Sequence, residues 1–432
     1  MKNMNVLTTL FVGIDVSARS NVCLAMNFNS QVLLKLTVSN NQTGADTLKA
    51  RLLELIQKYN FKTTIIALES TSFYSLHISN FLSADEELIP HNVYVHPLNP
   101  KMISNYRKSF VGLGKTDPID AYIIADFARV GRITTEPWKG PQYLALQRLT
   151  RHRLHLVECI TKEKAYMLSN IFLKFSELAV LKDSDHPFSS NHTATAEAIL
   201  TEMLSLEDLI SLSSEDLIEF VCNHSKNRYS NPSEVCKLLH KAARDSYRLD
   251  KTLYEPLTVS IASSFNCIET YQREIKSINK AIEKTLKGLC PDAFTVLQSI
   301  PGVGPVFASG ILSEIGDIHA FHSADALAKY AGIYWNRHQS GDYEADNTSM
   351  SKAGNKYLRY YLIEATNSIR CHEASFATYY RKKYDESKTH HHKRALALTS
   401  RKTIRLIYSL LDKNQLYRSE EHTSELQSLG RI

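Results

Sequence analysis

Two apolar runs, each closed by an acid, constrain the fold of this chain most. Leu10-Phe11-Val12-Gly13-Ile14 leads into Asp15, and Ile65-Ile66-Ala67-Leu68 leads into Glu69. Such runs, unbroken by polar residues, suit strands covered on both faces, which calls for helices on either side of a sheet. An acid at the end of a buried strand is costly to fold around unless something neutralises it. A divalent cation does so.

The surrounding pattern extends this reading. Leu10–Asp15, Asn21–Phe28 and Gln31–Val38 read as strands, with Asn29-Ser30 as a tight turn. Thr43–Tyr59 carries Leu48, Leu52, Leu53 and Ile56 at helical spacing. Thr63–Glu69 then reads as a strand, Tyr74–Leu82 as a helix, Asn92–His96 as a strand, and a helix starts at Pro100. Three strands followed by alternating helices and strands predict an α/β domain over residues 1–149, a mixed sheet with flanking helices whose order matches the ribonuclease-H-like layout, parts of which other α/β folds share.

Asp117-Pro118 reads as a helix start, with Asp117 as N-cap and Pro118 at the first helical position. Asp117 and Asp120 lie three apart and share a face, which continues into Ile124 and Phe127 and is expected to be buried. Asp126 falls on the opposite side and is expected to be dispensable. The helix is expected to run on through Val130.

The remainder reads as all-α. Residues 150–288 form a helical spacer, compatible with an antiparallel pair of long helices but with a heptad signal too weak to specify a coiled coil. Short helices are expected at Ala196–Leu206 and Ser214–Cys222, and a longer one at Ile261–Leu286. Residues 289–417 form a third domain. Its first two helices, Ala293–Ile300 and Pro305–Ile315, are joined by Pro301-Gly302-Val303-Gly304 in a helix-hairpin-helix pattern. A later helix buries Leu358, Tyr361, Leu362, Ala365 and Ile369. Another buries Ile404, Ile407 and Leu411 and leaves Arg401, Lys402 and Arg405 to solvent. Residues 418–432 look foreign to the fold and are expected to be disordered.

Composition narrows the class. Hydrophobic content of 43% and charged content of 22% over 432 residues describe a globular protein of two or three domains. No stretch is apolar enough for a membrane span, and the N-terminus lacks a secretory pattern. Seven scattered cysteines without a Cys-x-x-Cys pair argue against a disulfide framework or zinc ribbon. A reduced, cytoplasmic setting follows. The net charge of +6 is mild, but bases gather at 148–153, 352–359, 381–383 and 393–405. Clustered bases favour a polyanion such as nucleic acid.

Phosphodiester chemistry needs an attacking oxygen activated and a leaving oxygen stabilised. Two Mg²⁺ ions about 3.5–4 Å apart do both when carboxylates hold them. Singly, each acid has a plainer reading: Asp15 a turn, Glu69 a helix entry, Asp117 a cap. Together, in the order strand, strand, helix start, Asp15, Glu69, Asp117 and Asp120 point to metal-dependent phosphoryl transfer.

Other motifs stay open. Gly302 and Gly304 either expose backbone N–H groups to a phosphate or simply permit a tight turn. In Arg337-His338-Gln339-Ser340-Gly341, Ser340 is either a nucleophile in a basic loop or half of a common turn pair. His390-His391-His392 reads as a solvated basic loop rather than a metal site. Phe73-Tyr74 either stacks on a base or, as the plainer reading, packs into the core under the next helix.

Taken together, the motifs resemble the transposases of insertion sequence family 110, the DEDD class with a Holliday-junction-resolvase-like catalytic domain. The N-terminal likeness rests on Gly13-Ile14-Asp15-Val16-Ser17, Ala67-Leu68-Glu69-Ser70-Thr71 and Lys115-Thr116-Asp117-Pro118-Ile119-Asp120-Ala121. The C-terminal likeness rests on Ile300-Pro301-Gly302-Val303-Gly304-Pro305, Tyr330-Ala331-Gly332, Gln339-Ser340-Gly341 and Lys352-Ala353-Gly354-Asn355-Lys356-Tyr357-Leu358-Arg359. Residues 177–250 are longer than a compact member needs, and Trp335 stands near the place where the family usually has a proline.

The resemblance implies a DNA transposase with a two-part site. Asp15, Glu69, Asp117 and Asp120 match the acidic tetrad that binds Mg²⁺. Ser340 falls where the C-terminal domain supplies a serine nucleophile that forms a phosphoserine link. Gly302, Gly304, Arg337, Lys352, Asn355, Lys356 and Arg359 are the expected nucleic-acid-binding residues. The implied partners are element and target DNA, a structured guide RNA, and further copies of the chain in dimers or tetramers, in a bacterial, nucleoid-associated setting. Two alternatives remain: a junction-resolvase-like nuclease using water as nucleophile, and a non-catalytic nucleic-acid-binding relic.

Overall fold

The structure is a computed structural model. It describes residues 5–419 apart from 71–72, 111, 115, 134–136, 139–141, 183–184, 204, 336–338, 341–342 and 345–348, with backbone only at 339–340 and 343–344. The chain divides into two compact units, Met1–Gln142 and Tyr143–Ile432.

The first unit is built on a five-stranded sheet. Its elements are β1 (Thr9–Val16), β2 (Ser20–Met26), β3 (Val32–Ser39), α1 (Gln42–Tyr59), β4 (Thr63–Glu69), α2 (Tyr74–Ala84), β5 (Val93–Leu98), α3 (Pro100–Arg107) and α4 (Asp117–Arg129). The strand order is β3-β2-β1-β4-β5. β1 runs antiparallel to β2 and parallel to β4, and β4 runs parallel to β5. This is the ribonuclease-H-like mixed sheet with flanking helices. The turn between β2 and β3 places Ser30 at φ 63°, where a short polar residue is tolerated.

Strand alternation sorts the core into two layers. Leu10, Val12, Ile14, Ile66 and Leu68 pack with Leu48, Leu52 and Ile56 of α1 and Ile78 and Leu82 of α2. Phe11, Ile65 and Ala67 pack on the other face with Ile123, Ile124 and Phe127 of α4 and Ile103 of α3.

Three expectations for α4 change. The N-cap is Thr116, so Asp117 is the first helical residue and Pro118 the second. Val130 lies beyond the helix and is 41% exposed. Asp126 is buried rather than outward-facing. The residues from Ile123 to Ala128 are all buried, because α3 covers a side of α4 that the sheet does not. Asp126 accepts from the Tyr106 hydroxyl at 2.6 Å and from Arg129 Nε and Nη2 at 2.9 and 2.7 Å.

The second unit is helical: α5 (Leu144–Lys174), α6 (Ser176–Val180), α7 (Ala194–Glu202), α8 (Leu206–Ser211), α9 (Ser214–Ser225), α10 (Pro232–Asp245) and α11 (Lys251–Leu289). There follow α12 (Pro291–Gln298), α13 (Pro305–Ile315), α14 (Ala324–Ala331), the two-residue strands β6 (Gln339–Ser340) and β7 (Tyr343–Glu344), α15 (Lys356–His372), α16 (Ala374–Asp385) and α17 (His391–Lys413). α5 and α11 form the expected antiparallel pair. Arg153 bonds Asn279, Glu163 bonds Ser264 and Lys174 bonds Thr258.

This unit holds two cores. One joins α5, α7 and α11 to the helices between them through Met167, Ile171, Ile199, Leu217, Leu239 and Ile261. It accounts for the long segment 177–250, including α10, which periodicity had not revealed. The other gathers Leu286, Leu297, Ile311, Leu327, Tyr361 and Ile407. Leu358, Tyr361, Leu362, Ala365 and Ile369 are fully buried as expected, as are Ile404 and Ile407. The three bases expected to be left to solvent are not fully exposed. Arg401 pairs with Asp325 at 2.5 Å, Lys402 donates to Ser375 O, and both, like Arg405, are half-buried. The tail expected to be disordered lies outside the described residues from 420 onward. No helix among the described residues is long and apolar enough to cross a membrane.

Candidate active site

The site begins with register. Ile14 pairs with Leu68 across the parallel β1–β4 ladder. Asp15 and Glu69 follow directly, so they occupy neighbouring positions on strands about 4.8 Å apart. Phe11, Ile65 and Ala67 face α4, and the two-residue period puts Asp15 and Glu69 on that same face.

Gly13 brings the helix close. A Cβ built there would stand 2.2 Å from Ala121 O and 2.3 Å from Ala125 N. Only glycine lets α4 lie flush on β1 at this point. Ala121 directly follows Asp120, so the first turn of α4 meets the end of the sheet where Asp15 and Glu69 sit. Asp15, Glu69 and Asp120 are half-buried and Asp117 is exposed.

One residue in this region was not anticipated. Arg107, at the end of α3, ion-pairs with Asp120 and donates to Gly114 O at 2.6 Å. A base in the last turn of a helix gives no sequence signal for such a role.

An all-carboxylate donor set, partly exposed at the edge of a sheet, has the chemistry a hard divalent cation requires. In the present side-chain arrangement, no group of three or more His, Cys, Asp or Glu among the described residues stands ready to hold an ion. The guanidinium of Arg107 supplies the positive charge at Asp120. The donor types fit a divalent cation, and Asp120 is engaged by Arg107 in this arrangement.

The second unit carries the remaining motif residues. Gly302 adopts φ 89°, and a Cβ there would stand 2.9 Å from Ser368 C in α15. Its need for glycine is therefore met inside the protein. Gly304, the N-cap of α13, has open space around it. Asn355 caps α15 by accepting from Tyr357 N and Leu358 N and donates to Glu314 Oε2 at 2.7 Å. Arg359 Nη1 donates to Ala331 O and Lys352 O at 3.0 and 2.9 Å. These two build the loop. Lys352 and Lys356 are exposed.

Ser340 pairs with Tyr343 in the β6–β7 hairpin, and Arg337 lies outside the described residues. His391 and His392 are exposed and bond Tyr384 O and the Tyr380 hydroxyl.

A buried hub missed in the sequence supports this loop. Glu314, 3% exposed, receives Arg151 Nε and Nη2 at 2.8 and 2.9 Å, Gln147 Nε2 at 3.2 Å and Asn355. Four donors offset the cost of burying its charge. Arg151 belongs to a basic cluster read as nucleic-acid-facing, and its guanidinium is bound to Glu314 instead.

Two family models match this chain. A DEDD transposase model covers residues 12–174, and the transposase IS116/IS110/IS902 family model covers residues 295–381. The chain belongs to the IS116/IS110/IS902 transposase family. As a transposase it is an enzyme of DNA recombination. The transposase is 25% identical over 413 residues to the insertion element IS900 uncharacterized 42 kDa protein of Mycobacterium paratuberculosis, covering 94% of this chain and 97% of that one. It is 30% identical over 169 residues to the transposase for insertion sequence element IS1111A of Coxiella burnetii, covering 34% of this chain and 44% of that one. It is 28% identical over 129 residues to the pilin gene-inverting protein of Moraxella bovis, covering 30% of this chain and 39% of that one. The match of the DEDD model spans all four acids and carries a divalent-metal-dependent chemistry in general terms.

Proposed function

We propose that the transposase cuts DNA at the C-terminal edge of β1 and β4, using Asp15, Glu69, Asp117 and Asp120 with Mg²⁺ in the manner of a ribonuclease-H-like nuclease. The observation that carries this reading is the shared face. β1 and β4 deliver two acids in adjacent register, and Gly13 admits the helix that delivers the other two. These four carboxylates would hold Mg²⁺, as one or two ions, which would supply polarisation of the scissile phosphate and a more acidic attacking water. The carboxylates hold that charge in place, and the strand ends fix their spacing. A carboxylate not engaged as a ligand takes the proton from the attacking oxygen.

The decisive variant is Asp15→Asn, which keeps shape and removes charge. Cleavage of element-end DNA is expected to fall at least about 10²-fold, comparable to loss of one preorganised charge-stabilising group. Undiminished cleavage would sink the acid site.

A second reading adds Ser340 as the nucleophile that holds the cut strand before it is rejoined. One relative is named for inverting a pilin gene, and inversion requires rejoining as well as cutting. The β6–β7 hairpin gives Ser340 a defined backbone. The chemistry balances when the serine hydroxyl gives its proton to a neighbouring base as its oxygen bonds phosphorus, the bond from phosphorus to the 3′ or 5′ oxygen breaks, and that oxygen leaves with a proton as the strand's free hydroxyl. A Ser340→Ala protein that still rejoins strands at the normal rate removes this step and leaves cleavage by water. Gly304, Lys352 and Lys356 are the best placed of the C-terminal residues to meet DNA phosphates, since they are open to solvent. A guide RNA and assembly into dimers or tetramers belong to this proposal through the family resemblance.

A further inference from the structure

A cavity of about 450 Å³ opens on the other side of the sheet edge that carries the acids. Its walls include Ala18, Asn40, Gln42, Phe73, Tyr74 and His77. The expectation that Phe73 and Tyr74 pack into the core is not met, since each is 47% exposed. Among the described residues, none of those lining the cavity is acidic.

Its position follows from chain length. Ala18 comes three residues after Asp15, and Phe73 four after Glu69. A chain reaches at most about 3.6 Å per residue, so the Cα atoms of Ala18 and Phe73 stand within roughly 11 and 14 Å of those of Asp15 and Glu69 respectively. The two sides are also tied together. Asn40 Nδ2 donates to Ser17 O at 2.8 Å and to Tyr74 O at 3.2 Å. One amide thereby holds the turn after Asp15 against the first residue of α2, and Tyr74 is fixed at its Cα before any ligand arrives.

We propose that this cavity receives an unpaired nucleobase from a strand whose phosphates run past the acids. Exposed aromatic rings provide the stacking surface that every base shares. His77 and Gln42 provide donors and acceptors for a base edge. The volume falls in the range of small-ligand pockets. The absence of acidic lining residues lets a polyanionic strand approach. The inference rests on the proposed acid site for its direction and names the substrate as locally single-stranded.

The test uses the full chain in EDTA, so that it is independent of metal and cleavage. Binding is measured to a single-stranded DNA and a single-stranded RNA of equal sequence, and to duplex DNA. Tyr74→Ala is expected to weaken single-strand binding roughly 5- to 150-fold, the range for loss of one base–aromatic stack. Duplex binding and the unfolding midpoint stay unchanged. Tyr74→Phe, which keeps the ring, retains binding. A strand carrying 5-iodouracil is expected to photocrosslink to Phe73 or Tyr74, and the arm that does so, DNA or RNA, identifies the source of the base.

Equal single-strand binding by Tyr74→Ala and by Phe73→Ala/Tyr74→Ala overturns the pocket. So does an equal loss on duplex DNA. A failed pocket leaves the acid site standing, and an Asp15→Asn protein that still cuts leaves the pocket standing.

Discussion

Arg107 and Asp120 form an ion pair between the end of α3 and the first turn of α4. If the proposed metal site is right, a guanidinium and a divalent cation compete for one half-buried carboxylate. Removing a positive charge from such a place changes cation affinity by about 1 kcal/mol or somewhat more. Arg107→Ala is expected to tighten Mg²⁺ binding roughly 5- to 10-fold, read by calorimetric titration. Weaker binding would mean that Arg107 assists the ion rather than displacing it.

Gly13 is expected to be irreplaceable. The Cβ of Gly13→Ala meets backbone atoms of Ala121 and Ala125, which cannot swing aside as a side-chain end can. Overpacking of this kind costs about 1–3 kcal/mol. The variant is expected to lose that much stability in urea denaturation and to lose cleavage beyond what the stability loss explains, because the turn bearing Asp117 and Asp120 is pushed off β1. Full activity in a destabilised protein would separate the glycine from the site.

Asp126 is expected to matter for stability and not for catalysis. Burial, and next its bond to Asp126, raise the Tyr106 hydroxyl above the ordinary tyrosine range, so it remains a proton donor. Asp126→Ala strands that hydroxyl and leaves the Arg129 guanidinium only its bond to Phe28 O. Loss of about 2–4 kcal/mol is expected. Cleavage per folded molecule, measured well below the unfolding transition, should hold near the parent rate.

Lys174 should make the stability of the helical unit depend on pH. The residue is 3% exposed, and its ammonium donates to Leu200 O, Met203 O and Thr258 Oγ1 at 2.8, 2.7 and 2.6 Å. Burial lowers its pKa to about 8, with Asp208 opposing. The unfolded chain, titrating near the ordinary 10.5, binds more protons between those values. Stability from this group therefore rises as pH climbs from about 8 toward 10.5. The difference between the parent and Lys174→Met, compared at pH 7.5 and pH 9.5 (both values set by roughly that window), should widen in the parent's favour. A difference independent of pH would rule the effect out.

How much of this was readable in advance depended on whether one element or two had to be known. Thr63–Glu69 is bounded as expected because an unbroken apolar run leaves little choice. The pairing of Asp117 with Asp120 needed only helical geometry. Asp126 was misplaced because a single helical wheel allows one covered face, and α3 supplies a second. α10 was missed although Val235, Cys236, Leu239, Ala242 and Ala243 stand at helical spacing on its inward side, because the segment was taken together with its neighbours as one spacer. Asn355 and Arg359 were read as nucleic-acid-binding, and their donors go to Glu314 and to the carbonyls of Ala331 and Lys352; sequence alone does not tell whether a donor is spent on a phosphate or on a carbonyl. Gly13 did carry a signal, since glycine inside a strand marks a close backbone approach. The partner, α4, was knowable only in three dimensions.

The bond from Lys174 to Thr258 closes a ring. The chain leaves the long antiparallel pair just after Lys174, builds α6 to α10, and returns to meet its own departure point within one side chain's reach. Segments whose ends adjoin can be lengthened, shortened or replaced without moving what they are attached to. The 177–250 region is thus a cassette, and a relative carrying only a short turn there can keep the same paired helices and the same register along them.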